Sequence, residues 1–231
     1  MSFADVWENG YFVCKFKDQL DNRIVAFILL FVACAITAYL LGSINCGVLI
    51  SRFYGKDVRE SGSGNAGATN MTRTFGKKAG VMTFLGDFLK AAIALFIGRM
   101  IFGEQGAFIS GIFCIIGHAF PLYFKFKGGK GVVCIAAMGL LTSPPVFGIM
   151  LAIFLIVLFG FKMVSFASVM TMIIYPFVLS KIEGPGPWVI YAIFASLLVV
   201  FLHRKNIARI FNHTESKISF GKKKDADDEK R

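Results

Sequence analysis

The sequence predicts an all-α, polytopic integral membrane protein with about seven transmembrane helices, and three observations carry that prediction. Mean hydropathy is +0.67, and 56% of the 231 residues are hydrophobic, 26 Phe among them, which is more apolar than an ordinary soluble domain. Uncharged apolar runs, many near the roughly 20 residues of one membrane crossing, recur along the chain. The basic residues collect between those runs, in 52–78, at Lys125, Lys127 and Lys130, and in 204–231.

Each element follows in order. Residues 1–23 mix Asp5, Glu8, Asp18 and Asp21 with Lys15, Lys17 and Arg23, unlike the short basic region of a cleavable signal peptide. The first apolar helix, 24–41, is therefore expected to be retained. Further apolar segments run over 79–103, 106–124, 132–161, 163–180 and 186–202. The loop-charge rule places the three basic islands on the cytoplasmic side and the N-terminus outside. From the island at Lys130 to the basic C-terminal region the chain must then cross an even number of times. The run 132–161 contains Thr142-Ser143-Pro144-Pro145, and proline breaks a helix by removing a donor and crowding the preceding turn. Splitting the run there gives seven crossings, N-terminus out and C-terminus in. Gly184-Pro185-Gly186-Pro187 is a turn. Residues 1–217 are expected to form one membrane domain, and 218–231 a charged, disordered tail.

Net charge is +11, with 25 basic and 14 acidic residues. A membrane protein with basic cytoplasmic loops accounts for that charge, so no nucleic-acid partner is expected. The five cysteines form no CxxC pair and mostly lie in or beside apolar helices, which fits small buried hydrophobes and no metal site.

The chemistry concentrates in three polar islands. The first holds Gly62, Ser63, Gly64, Asn65, Gly67, Thr69, Asn70 and Arg73. Small residues let an anion approach the backbone, and hydroxyls, amides and a guanidinium add donors, so this stretch reads as a phosphate-binding loop. The second is Gly128-Gly129-Lys130-Gly131 before an apolar helix, where a helix N-terminus and a lysine can face one oxyanion. It is not a Walker A loop, because no Ser or Thr adjoins Lys130. The third places His203 and Asn206 at i, i+3 on the end of the last helix, where both can face one ligand. Asp87 and Lys90 share a face inside an apolar segment and are expected to pair and brace the site; His118 is expected to support it from behind. Arg99, nearer the outer end, is expected to snorkel to the interface.

These three islands, in this order and spacing over about 42–217, resemble the bacterial acyl-phosphate:glycerol-3-phosphate acyltransferases, multi-pass enzymes of the bacterial plasma (inner) membrane. The resemblance implies transfer of a fatty acyl group from acyl phosphate to the sn-1 hydroxyl of glycerol 3-phosphate, giving lysophosphatidic acid and phosphate in phospholipid synthesis. It implies catalytic roles for Ser63, Arg73, Lys130, His203 and Asn206, a phosphate site in the first island, and a glycerol 3-phosphate site formed by Lys130, His203 and Asn206. No cofactor is implied, and membrane lipid is the surrounding partner. The HxxxxD pattern of acyl-CoA-dependent enzymes and the GxSxG elbow of serine hydrolases are both missing from the sequence. The reading from another class is a membrane transporter of a phosphorylated metabolite, which would use similar groups but would show vectorial flux in place of turnover.

Overall fold

A computed structural model describes residues 2–16 and 23–218, and among them all regular structure is helical. The charged tail expected over 218–231 lies almost wholly outside the described residues. Two short helices, α1 (Phe3–Asn9) and α2 (Tyr11–Phe16), precede α3 (Arg23–Ser43), α4 (Cys46–Phe53), α5 (Ala68–Phe75) and α6 (Lys77–Ala119). The chain continues through α7 (Val132–Thr142), α8 (Pro144–Phe161), α9 (Val164–Ile182), α10 (Pro187–Leu202) and α11 (Arg204–Phe211).

Four helical stretches among the described residues are long and apolar enough to cross a membrane, five if α10 and α11 count as one span bent by 58°. The expected seven segments therefore do not all stand as independent spans. Lys77–Phe124, which counts once among these four, holds both of the runs 79–103 and 106–124, and α7, with 11 residues, is about 16 Å long against a hydrocarbon core of about 30 Å.

The stretch α6 is nevertheless not straight. Phe102 and Gly103 leave helical geometry, Gly103 at φ 60°, a conformation open to glycine. A methyl added at Gly98 would overlap Ser110 and the Gly106 carbonyl, and Lys90 lies 2.9 Å from His118. In a straight helix Lys90 and His118 would be about 42 Å apart, so the chain reverses at Gly103 into two antiparallel arms. Gly98, Gly106 and Ser110 let the arms approach closely, as small residues do between membrane helices.

The helices α1 and α2 dock on that reversal. Arg99, expected to snorkel to the interface, donates to the Trp7 carbonyl at 3.0 Å and stacks over the Trp7 ring at 4.4 Å. Around the α6 arms a buried core gathers Ala38, Leu95, Ile115, Met138, Tyr191 and Val199 from the surrounding helices. A smaller second core, Val48, Val58, Ala66, Met71, Ala79 and Phe124, sits under the loops that carry the first two islands. It gives those loops a floor of their own.

Candidate active site

The first island is half loop and half helix. The expected loop ends at Gly67, and Thr69, Asn70 and Arg73 stand on α5. One turn apart on that helix, Thr69 and Arg73 share a face. Asn70 is buried: its Oδ1 accepts from the Ser63 N–H at 2.9 Å, and its Nδ2 donates to the carbonyls of Val58, Ser61 and Asn65 at 3.1, 2.9 and 3.0 Å. Its amide thus shapes the loop and presents Ser63 and Asn65 to the cavity. Arg59 clamps the same loop to the second island. It pairs with Asp57 at 2.6 Å and donates to the Phe124 and Lys127 carbonyls at 2.8 and 3.3 Å.

The second island is strapped to the end of α6. Gly128 and Gly129 donate to the carbonyls of Ala119 and His118 at 3.2 and 3.0 Å, and a side chain at Gly129 would overlap the His118 imidazole. Beneath it lies a buried polar cluster. Lys90 pairs with Asp87 at 2.9 Å and also contacts the Ile44 carbonyl at 2.6 Å and His118 Nδ1 at 2.9 Å. An ammonium can only donate, so Nδ1 accepts and the His118 proton belongs on Nε2. Through His118 the ion pair, joining the two arms of α6, also underlies the loop that carries Lys130.

The third island completes the ring of contacts. Lys130 Nζ donates to Asn206 Oδ1, Asn206 Nδ2 donates to Glu215 at 2.7 Å, and Ser165 and Arg209 donate to the same carboxylate at 2.7 Å each. Burial favours the neutral Glu215 carboxyl, yet the hydrogen bonds from Ser165, Asn206 and Arg209 outweigh it and keep the pKa below the usual value. His203 occupies the bend between α10 and α11; its Nδ1 donates to the Val199 carbonyl at 2.8 Å, which leaves Nε2 as the ring's acceptor. Burial first, then the nearby Lys130 charge, lowers the His203 pKa to about 4. Burial likewise brings Lys130 down to about 8. Glu215, which lies within the third island, was given no site role from the sequence, although it closes that island; the signal available was an acidic residue among basic ones shortly after Asn206.

All three islands open on one cavity of about 460 Å³. Ser63, Asn65, Gly67, Thr69, Asn70, Arg73, Lys130, Gly131, His203 and Asn206 line its polar end, with Asp87, His118 and Glu215. Gly62, Gly64, Gly128 and Gly129 do not line it and serve the loops' shape. The Arg73 guanidinium is exposed at the rim and has no hydrogen-bond or ion-pair partner among the described residues. From this polar end an apolar arm runs between α7, α8 and α9, walled by side chains such as Ile135, Leu151, Phe154 and Met172. The cavity can therefore hold an anionic head and an alkyl chain in one ligand.

The family model described as glycerol-3-phosphate acyltransferase matches residues 32–213. A glycerol-3-phosphate acyltransferase of Geotalea daltonii is 40% identical over 182 residues, covering 78% of this chain and 94% of that protein. A glycerol-3-phosphate acyltransferase 2 of Bacillus cereus is 40% identical over 190 residues, covering 81% and 95%. The crystal structure of PlsY, an integral membrane glycerol 3-phosphate acyltransferase, in its glycerol 3-phosphate form superposes with a TM-score of 0.78 at 36% identity, covering 82% of this chain and 96% of that one. Its lysophosphatidic acid form gives a TM-score of 0.75 at the same identity. A match over most of the chain, relatives aligned over nearly their whole length and a shared fold lead to one conclusion: this chain belongs to the glycerol-3-phosphate acyltransferase family.

Proposed function

We propose that the protein transfers a fatty acyl group from acyl phosphate to the sn-1 hydroxyl of glycerol 3-phosphate, releasing lysophosphatidic acid and inorganic phosphate. The observation that carries this reading is the two-ended cavity, in which cationic and hydrogen-bonding groups from three separate islands meet at the mouth of an apolar arm. Arg73 and Lys130 offset the repulsion between two phosphate-bearing substrates, and Ser63, Asn65 and Thr69 supply hydrogen bonds at the leaving phosphate. Asn206 holds Lys130 in place. The hydroxyl oxygen attacks the acyl carbon, the bond from that carbon to the phosphate oxygen breaks, and phosphate leaves with the electron pair.

His203 orients the attacking hydroxyl by accepting its hydrogen bond at Nε2. A ring with a pKa near 4 is a weak base at neutral pH, so a substrate phosphate oxygen is the better proton acceptor. A mixed anhydride is already activated, and positioning with charge stabilisation suffices without a covalent acyl-enzyme. In the bacterial inner membrane the chain makes seven crossings, counting each arm of α6, α7 and α10 as one, with the N-terminus outside, residues 1–217 as one domain and the site on the cytoplasmic side; the basic islands support this orientation.

Purified protein in detergent, offered acyl phosphate and acyl-CoA separately with glycerol 3-phosphate, tests the reading. Lysophosphatidic acid should form from acyl phosphate alone. Comparable kcat/KM with acyl-CoA would overturn the donor assignment, and absence of product from both, with flux in sealed vesicles, would favour a transporter.

A further inference from the structure

The apolar arm of the cavity is lined over a limited length. Its three walls stop at the same depth: on α7 the last lining residue is Gly139, on α8 the lining begins at Phe147, and on α9 it ends at Tyr175. Gly139 is buried with an unusual amount of space before it. A methyl placed there would meet only the edge of the Phe147 ring, at 4.0 Å, an ordinary contact. A larger side chain would extend into the end of the arm. Glycine costs helix stability in the middle of α7, roughly 1 kcal/mol against alanine, and no close packing or positive φ requires it here.

The arm's length can be read along its walls. From Leu158 to Phe147 the inner face of α8 runs about 16 Å, and from Ser165 to Tyr175 that of α9 runs about 15 Å. An extended chain advances about 1.2 Å per bond, as the polypeptide backbone does over its three bonds per residue, so the arm takes up about a dozen carbons. Resting on the acyl-transfer reading above, we infer that Gly139 and Phe147 form a length gauge for the donor's acyl chain. The first dozen or so carbons lie in the arm, and a longer chain continues only because Gly139 leaves the passage beside the Phe147 ring open. The gauge is thus set by a side chain that is missing on α7 and one that is present on α8.

The test is a chain-length profile, kcat/KM for octanoyl, dodecanoyl, palmitoyl and stearoyl phosphate on purified protein in one detergent. In Gly139→Leu the palmitoyl-to-octanoyl ratio should fall about tenfold or more relative to the unaltered protein, since each methylene expelled from an apolar site carries a severalfold penalty. Gly139→Ala should shift the ratio in the same direction by less. Phe147→Ala, which widens the same passage from the opposite helix, should raise the stearoyl-to-dodecanoyl ratio by about threefold or more. If Gly139→Leu fails to fold, the profiles of Gly139→Ala and Phe147→Ala decide the matter. Profiles that superpose on that of the unaltered protein overturn the gauge while leaving acyl transfer intact. An unaltered protein that turns over no acyl phosphate of any length overturns the reading on which the gauge rests.

Discussion

The two ends of the cavity are built on opposite plans. At the polar end nearly every group is held by a directional contact: Asn70 on the carbonyls of its own loop, Arg59 across to the second island, Gly129 on the end of α6, and Lys130 through Asn206 to Glu215. At the apolar end α8 packs chiefly on α7 and α9 through dispersion contacts, with Ser143, just before α8, donating to Glu183 at the end of α9. The comparison teaches that rigidity is placed where a small, charged group must be met at a fixed distance. The wall along the alkyl chain is left adaptable, since dispersion contacts are individually weak and tolerate small shifts.

The largest expected effect tests the bracing of the polar end. Lys90→Met leaves the Asp87 carboxylate buried without its ion partner, and removal of one member of such a pair costs about 3–5 kcal/mol. Thermal unfolding in detergent should drop accordingly, and the double variant Asp87→Asn with Lys90→Met should recover a good part of the loss. A stability loss below about 1 kcal/mol, the range of exposed pairs, would remove the brace from the comparison.

Next come the charges proposed to meet phosphate. Lys130→Ala and Arg73→Ala should each lower kcat/KM for glycerol 3-phosphate by about 10- to 100-fold, the range of a lost charge-assisted contact. A folded Lys130→Ala with unchanged kinetics would empty the polar end of its central assignment. Because Lys130 is held by Asn206 while Arg73 has no partner among the described residues, conservative Arg73→Lys should retain more activity than Lys130→Arg.

Acidity offers a third, gentler probe. Burial lowers the Lys130 pKa to about 8, so its charge is present below that pH and is lost as the pH rises through it. If Lys130 binds phosphate as a cation, kcat/KM for glycerol 3-phosphate should fall above about pH 8, approaching tenfold per pH unit. Bound phosphate favours the charged ammonium, and kcat at saturation should decline only at higher pH. Coincident profiles for the two parameters would argue against this role. The smallest effect belongs to the outer face of α8, where Ile156 is 71% exposed. Ile156→Ala should change kcat/KM by less than about twofold, as for other surface changes; a larger loss would show that the adaptable wall is more constrained than its contacts indicate.

Much of the polar end was legible because its chemistry is carried by short local strings. The three islands, Lys130 before a helix, and the i, i+3 pairs Asp87/Lys90 and His203/Asn206 are visible as spacing, and the structure brings these groups to one cavity or beneath it. The helical character of Thr69–Arg73 was not, since glycine and hydroxyl residues around it mimic a loop while Met71, packed on the small core under the loops, holds the turn. Equally hidden were contacts that depend on chain reversal: Lys90 with His118, and Arg99 with Trp7. Each joins residues far apart in sequence, and no periodicity signals which distant partner a buried charge will find. The membrane count is hard to read from single helices for a related reason. Length and hydropathy score a helix in isolation, whereas α7 and the arms of α6 derive their place from neighbours.

The thinness of one wall has a consequence for how the protein encounters its donor. Between the apolar arm and the surroundings stands α8, its inner face on the cavity and its outer residues, such as Ile156 and Phe159, exposed. A chain arriving from the bilayer through this wall passes one helix, and a single-chain product can return the same way without entering water. The relevant donor concentration is then a mole fraction in a two-dimensional phase, not a molarity in the surrounding solution. Diluting acyl phosphate with inert detergent at constant bulk concentration should slow turnover in proportion, and a rate indifferent to that dilution would point to entry through the aqueous mouth.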